Sequence, residues 1–210
     1  MDVLSRYIDQ VAASLRHLPR EQLRQVASAL WATYERDRTI FVCGNGGSAA
    51  TASHFVCDLA KSTIRPGARR VRALALTDNV PLLTAWSNDQ SYADVFVEQL
   101  AAHYREGDLI VAISGSGNSP NVLRAIEWGN QVGATTVGLS GFDGGALARL
   151  ATVALQVENF VMPQVEDLHL LICHALAINL GALIEQSYAV VSAPGLLPAD
   201  RLLEQVVGDA

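Results

Sequence analysis

His54 and Asp58 stand at positions i and i+4, a spacing that puts an imidazole and a carboxylate on one face of a helix. Further along, Glu166 and His174 lie eight residues apart, which on a helix turns them about 80° from one another and separates them by roughly 12 Å along the axis. A carboxylate and a histidine held together are suited to moving protons. Plainer readings exist for each residue taken singly. A histidine on an apolar helix can be a hydrogen-bonded core residue, and Asp58 can pair with Lys61 or Arg65. His169 points about 140° away from His174, which gives it a supporting role.

Two loops offer these groups an anionic ligand. Cys43-Gly-Asn-Gly-Gly-Ser48 has three glycines that let the backbone of Asn45, Gly46 and Gly47 curl toward an anion, with the Ser48 hydroxyl at a helix start. Ile113-Ser-Gly-Ser-Gly-Asn-Ser119 offers Ser114, Gly115, Ser116 and Ser119 in the same kind of place. The alternatives are an ordinary strand-to-helix turn for the first loop and a helix cap for the second. Neither loop has the lysine of a P-loop or G-x-G-x-x-G spacing followed by an acid, so a nucleotide cofactor is not expected. A compact sugar phosphate fits better.

The elements that must carry these loops follow from apolar periodicity. Residues 3–34 show helical spacing broken at Pro19, which predicts two helices. Apolar runs at 39–43, 71–76, 109–113, 135–139 and 153–157 read as buried strands. Segments 91–104 and 118–132 read as crossover helices and 163–186 as a long closing helix, so the expected fold is α/β with a parallel sheet. Asn88-Asp89 is either a binding pair or a simple turn. The arginines at 65, 69, 70 and 72 read as a solvated basic patch.

Composition sets the outer limits. A chain of 210 residues suits one domain, and 50% hydrophobic residues demand a packed core. Only 17% of residues are charged, which predicts surface covered by other copies of the chain. A formal charge of −6 disfavours nucleic acid as a partner. Cys43, Cys57 and Cys173 form no CxxC pair and sit in apolar sequence, as reduced cytoplasmic cysteines do. Asp2, Arg6, Asp9 and Arg16 interrupt any signal-peptide core, and the apolar stretch 168–184 reads as a buried helix, so no membrane association is expected.

Taken in order, Gly44-Asn-Gly-Gly-Ser48 with His54, Ile113-Ser-Gly-Ser-Gly-Asn-Ser119, Asp143-Gly-Gly145, and an acid-rich helix start with His169 and His174 resemble the sugar-isomerase (SIS) domain family. The phosphoheptose isomerase group is the best match, over about residues 1–187. The resemblance implies a three-layer αβα sandwich around a five-stranded parallel sheet, with an N-terminal helical extension over 1–36 and a tail over 188–210. It also implies a homotetramer with active sites near subunit interfaces.

The activity implied is conversion of sedoheptulose 7-phosphate to an aldose heptose 7-phosphate. One group takes a proton from the carbon beside a carbonyl, and another moves protons between the two oxygens through an enediol. By resemblance Asp58 is the base and His174 the acid. Asn45, Gly46, Gly47, Ser48, Asn88, Asp89, Ser114, Gly115, Ser116, Ser119 and Glu166 would bind substrate. His54, Asp58, Glu166 and His174 match positions that hold zinc in some relatives, a chemically sensible ligand set for one divalent ion per subunit. The chain departs from the family pattern at two of these, with Asp58 for Glu and Glu166 for Gln. Two alternatives are a non-catalytic scaffold for a protein partner such as the replication initiator, and an isomerase or binder of another phosphosugar.

Overall fold

The structure, a computed structural model, describes residues 2–192. Helices α1 (Val3–Arg16) and α2 (Arg20–Glu35) meet at Pro19, as the broken periodicity predicts. The Asp2 carboxylate accepts from the Ser5 amide and caps α1. Five strands follow: β1 (Thr39–Gly44), β2 (Arg72–Ala75), β3 (Leu109–Ser114), β4 (Thr135–Ser140) and β5 (Val153–Gln156). They pair in the order β2-β1-β3-β4-β5, and every pairing is parallel.

Alternation along each strand divides the core into two layers of helices. Val42, Val111, Ile113 and Leu139 point to one face, where α2, α3 (Gly47–Lys61) and α8 (Met162–Ser192) bury Leu30, Phe55 and Ile172. Phe41, Cys43, Ile110 and Ala112 point to the other, beneath α5 (Val97–His103), α6 (Pro120–Gln131) and α7 (Leu147–Leu150). β3 is buried along its whole length, which is why it is a continuous apolar run rather than an alternating one.

The second crossover differs from expectation. In place of one helix over 91–104 there are α4 (Val80–Asp89), a 3₁₀ turn at Tyr92–Asp94 and the short α5. Asn88 and Asp89 therefore end a helix instead of forming a turn. The start of α4 is set by Asn79, whose side chain accepts from the Leu82 amide, and by Pro81 in the first turn. No residue of α4 is fully buried; Leu83 and Trp86 pack half-buried against the core, a short apolar stripe.

Two further expectations need correction. Cys57 is exposed, whereas Cys43 and Cys173 are buried and burial pushes the Cys43 thiol up to about 12. Arg65 pairs with Glu185 at 2.9 Å, and Arg69 donates to the carbonyls of Tyr34 and Glu35 while lying over the Tyr34 ring, so these two arginines pin the chain before β2 to α8 and α2. Helix α8 is apolar and long enough to cross a membrane by length and composition, yet half of it is buried in this fold. One face packs on α3 and α2, while Leu171 and Ile178 on the other are exposed. It continues to Ser192, and the rest of the expected tail lies outside the described residues.

Candidate active site

The strand order reverses between β1 and β3, and in an open parallel sheet the crevice beyond such a point is where ligands bind. Gly44 and Ile113 are register partners at the ends of those two strands, so the first loop and the second emerge side by side. Gly44 has no room for a side chain: a Cβ there would crowd the Ser48 and Ile113 carbonyls. Gly46 precedes α3 with φ 55°, a left-handed conformation that glycine adopts without strain.

Neither helix that follows is capped by a side chain among the described residues. Gly46 has none to offer, and the Ser119 hydroxyl makes no cap bond to α6. It lies instead 3.3 Å from the Ser114 hydroxyl. Serine hydroxyls therefore gather at the positive end of α6, where an anion is favoured. Ser48 and Ser114 are buried, while Ser116 and Ser119 are half-buried. The Asp143-Gly-Gly145 segment supports this loop from behind: the Leu147 amide donates to the Gly117 carbonyl at 2.9 Å, and the Ala146 amide to the Asn118 side chain at 3.0 Å. Gly117, Gly144 and Gly145 meet backbone to backbone with no space for a Cβ on Gly117 or Gly145.

Helices α3 and α8 run side by side, and their facing residues form the second half of the site. The Asp58 Oδ2 atom lies 3.8 Å from His54 Nε2 and 3.6 Å from His174 Nε2, and the two imidazole nitrogens are 3.2 Å apart. Bonds of about 2.0–2.1 Å in a tetrahedron separate two ligand atoms by about 3.3 Å, so these three donors fit one face of a zinc-type coordination sphere. All three ligand atoms fall within 4.8 Å of one another. The second Asp58 oxygen has no hydrogen-bond partner among the described residues and stays available as a proton acceptor.

Glu166 does not reach this cluster. Its carboxylate packs on Gly47, at the first turn of α3, beside the first loop. Asn88 donates to Asp89 at 2.8 Å, and both are exposed at the end of α4. His169 is fully buried with no close hydrogen-bond partner on either ring nitrogen among the described residues, and burial lowers its pKa to about 4, opposed by the Ser140 backbone.

The sequence reading missed Met162, Asn121 and Tyr92. The Met162 thioether rests on Gly115, where a Cβ would overlap it. Asn121 and Tyr92 both bond the Asn45 side chain. A buried Asn at a helix start and an exposed Tyr in a 3₁₀ turn carry no periodic signal, so only tertiary structure reveals them.

The SIS-domain family model matches residues 6–141, from α1 through β4. The chain belongs to the SIS-domain family. Its relatives within that family include the phosphoheptose isomerase of Desulfovibrio desulfuricans, 40% identical over 156 residues, spanning 73% of this chain and 73% of that protein. The phosphoheptose isomerase of Rhodospirillum rubrum is 36% identical and covers 73% of this chain and 81% of its own. The lincomycin biosynthesis protein LmbN of Streptomyces lincolnensis is 41% identical over 162 residues, but the match spans only 59% of LmbN. Among solved structures, phosphoheptose isomerase GmhA from Neisseria gonorrhoeae has a TM-score of 0.79 and 30% identity, covering 85% of this chain and 97% of GmhA. This SIS domain thus falls in the phosphoheptose isomerase group, and the family match takes in both loops, His54 and Asp58. Glu166 and His174 lie beyond it on α8.

Proposed function

We propose that this SIS domain is an aldose–ketose isomerase that converts sedoheptulose 7-phosphate into D-glycero-D-manno-heptose 7-phosphate. The observation that carries the reading is the meeting of His54, Asp58 and His174 next to two serine- and glycine-rich loops at the strand-order reversal. The loops would hold the phosphate through Ser48, Ser114, Ser116, Ser119 and the amides of Gly46 and Gly47. Asp58 would take the proton from the carbon beside the carbonyl with the oxygen that faces neither histidine. His174 would move protons between the two substrate oxygens as the enediol forms and collapses.

His54, Asp58 and His174 are the residues assigned to hold one divalent ion such as zinc. When bound, such an ion supplies Lewis-acid polarisation of a carbonyl oxygen. The loops, Glu166 and the exposed Asn88-Asp89 pair would provide the remaining substrate contacts. A homotetramer is part of the same reading: Val3, Leu4 and Ile8 on α1 and Ile178 on α8 are at least 64% exposed, an apolar load suited to contacts between copies. The site would then sit near such a contact, in a cytoplasmic enzyme.

The likeness to LmbN favours a second reading, in which the same chemistry acts on a different sugar phosphate. A scaffold for a protein partner would leave the His54–Asp58–His174 cluster without work. The test is an anomeric-proton NMR assay with sedoheptulose 7-phosphate, with and without zinc. Aldose heptose phosphate made by the parent and lost in Asp58→Asn and His174→Ala supports the first reading. Turnover of another phosphosugar alone supports the second, and no turnover of any sugar phosphate defeats both.

A further inference from the structure

Asn121 is 1% exposed at the second residue of α6, and its amide is bonded at both ends. Its Oδ1 accepts from the Val122 amide at 3.0 Å and from Asn45 Nδ2 at 2.8 Å, while its Nδ2 donates to Asn45 Oδ1 at 2.9 Å. The Tyr92 hydroxyl also donates to Asn45 Oδ1, at 2.9 Å. A backbone N–H can only donate, so the Val122 bond fixes which end of the Asn121 amide is oxygen. That choice fixes the Asn45 amide, which in turn requires Tyr92 to be a donor. Each proton in the network therefore has one assigned direction.

The network joins three segments that are far apart in sequence. Asn45 lies in the first loop, Asn121 is two residues past the second, and Tyr92 belongs to the 3₁₀ turn after α4. Asp94, in that same turn, forms an ion pair with Arg124 of α6, so α6 holds the turn at a second point. The Asn45 oxygen already accepts two hydrogen bonds, and one of its two N–H groups is used. Its oxygen is therefore taken up by the protein, and one N–H is left over.

We propose that Asn121 and Tyr92 are positioning residues that act through Asn45 to hold the two serine- and glycine-rich loops at the separation one phosphate group requires. The inference rests on the reading of those loops as a phosphate site. It does not rest on the isomerisation step. Loss of either partner lets the first loop drift from the second, and phosphate affinity falls while the His54–Asp58–His174 cluster, at the other end of α3, is untouched.

The test compares the parent with Asn121→Ala and Tyr92→Phe in three measurements: binding of inorganic phosphate by calorimetry, cobalt(II) absorption at the histidine cluster, and KM and kcat with sedoheptulose 7-phosphate. Each variant is expected to weaken phosphate binding and raise KM by about tenfold, with a much smaller change in kcat and an unaltered cobalt spectrum. Tyr92→Phe removes one oxygen from a side chain that is 54% exposed, so it remains informative if Asn121→Ala fails to fold. Weakened phosphate binding in a protein that turns over no sugar phosphate would uphold the inference and defeat the isomerase reading. Unchanged phosphate binding and KM in Tyr92→Phe, or a parent that binds no phosphate, would overturn the inference even if turnover is found.

Discussion

The Glu166 carboxylate lies against Gly47 so closely that a Cβ on Gly47 would overlap it. The contact joins the second turn of α8 to the first turn of α3, and it depends on glycine being there. Gly47→Ala is expected to lower stability by about 1 kcal/mol, because the overlapping group is the end of a flexible side chain. In a Glu166→Ala background the same substitution should cost nothing or stabilise the helix, giving a coupling of at least about 1 kcal/mol in a double-mutant cycle read by urea unfolding. Additive effects would mean that the two residues do not touch in solution.

Removing the charge while keeping the shape addresses binding. Glu166→Gln is expected to tighten inorganic phosphate binding by roughly three- to tenfold at low salt, since one anion near the first loop is lost. The gain should shrink as ionic strength rises, and calorimetry at two salt concentrations checks both points.

The three donor atoms of His54, Asp58 and His174 predict a tetrahedral spectrum on addition of cobalt(II). His54→Ala should weaken cobalt binding by more than the roughly 10- to 100-fold typical of losing an outer-sphere partner. Equal affinity in parent and variant would place the ion elsewhere.

Burial of neutral His169 makes stability depend on pH. Its folded-state pKa of about 4 lies below the unfolded value of about 6.5, so the unfolded chain binds the extra proton first. The stabilisation is whole above pH 6.5 and is lost as pH falls toward 4, by about 3 kcal/mol in all. His169→Gln should flatten that part of the stability profile relative to the parent. Parallel profiles in urea unfolding from pH 7 to pH 4 would show that His169 is not buried as a neutral group.

Helix α1 buries no residue, and polar contacts such as Tyr7 to Asp167 at 2.5 Å and Asn159 to Ser14 at 3.0 Å tie it to the rest. Ile8→Glu, on its exposed side, is expected to lower the mass measured by light scattering without changing the helical content of the remaining domain. An unchanged mass would leave α1 outside any contact between copies.

Much of the frame was legible because buried parallel strands are unbroken apolar runs that end in Gly44, Ser114 or Ser140. The pairing of His54 with Asp58 was legible for a local reason, the i and i+4 spacing on one helix. Their meeting with His174 depends on how α8 lies on α3, which only the resemblance pointed to. Helix α4 escaped notice because it is short and only Leu83 and Trp86 of it pack on the core, half-buried. Arg65 and Arg69 looked like solvated charge because their partners, Glu185 and the end of α2, are distant in sequence. Glu166 was placed by its family position, and nothing local announces that its carboxylate rests on Gly47.

The parallel course of α3 and α8 makes the crevice a ruler. Seven residues separate Gly47 from His54 and eight separate Glu166 from His174, so the loop end and the histidine end are fixed about 10–12 Å apart by the rise of the two helices. Each carbon added to an extended chain lengthens it by roughly 1.3 Å, given a C–C bond of about 1.5 Å. Two carbons more or fewer shift the reacting atom by more than the roughly 1 Å that can cost on the order of a hundredfold in rate. On the proposed reading, the number of carbons between phosphate and reacting atom would be set by the rise of two helices.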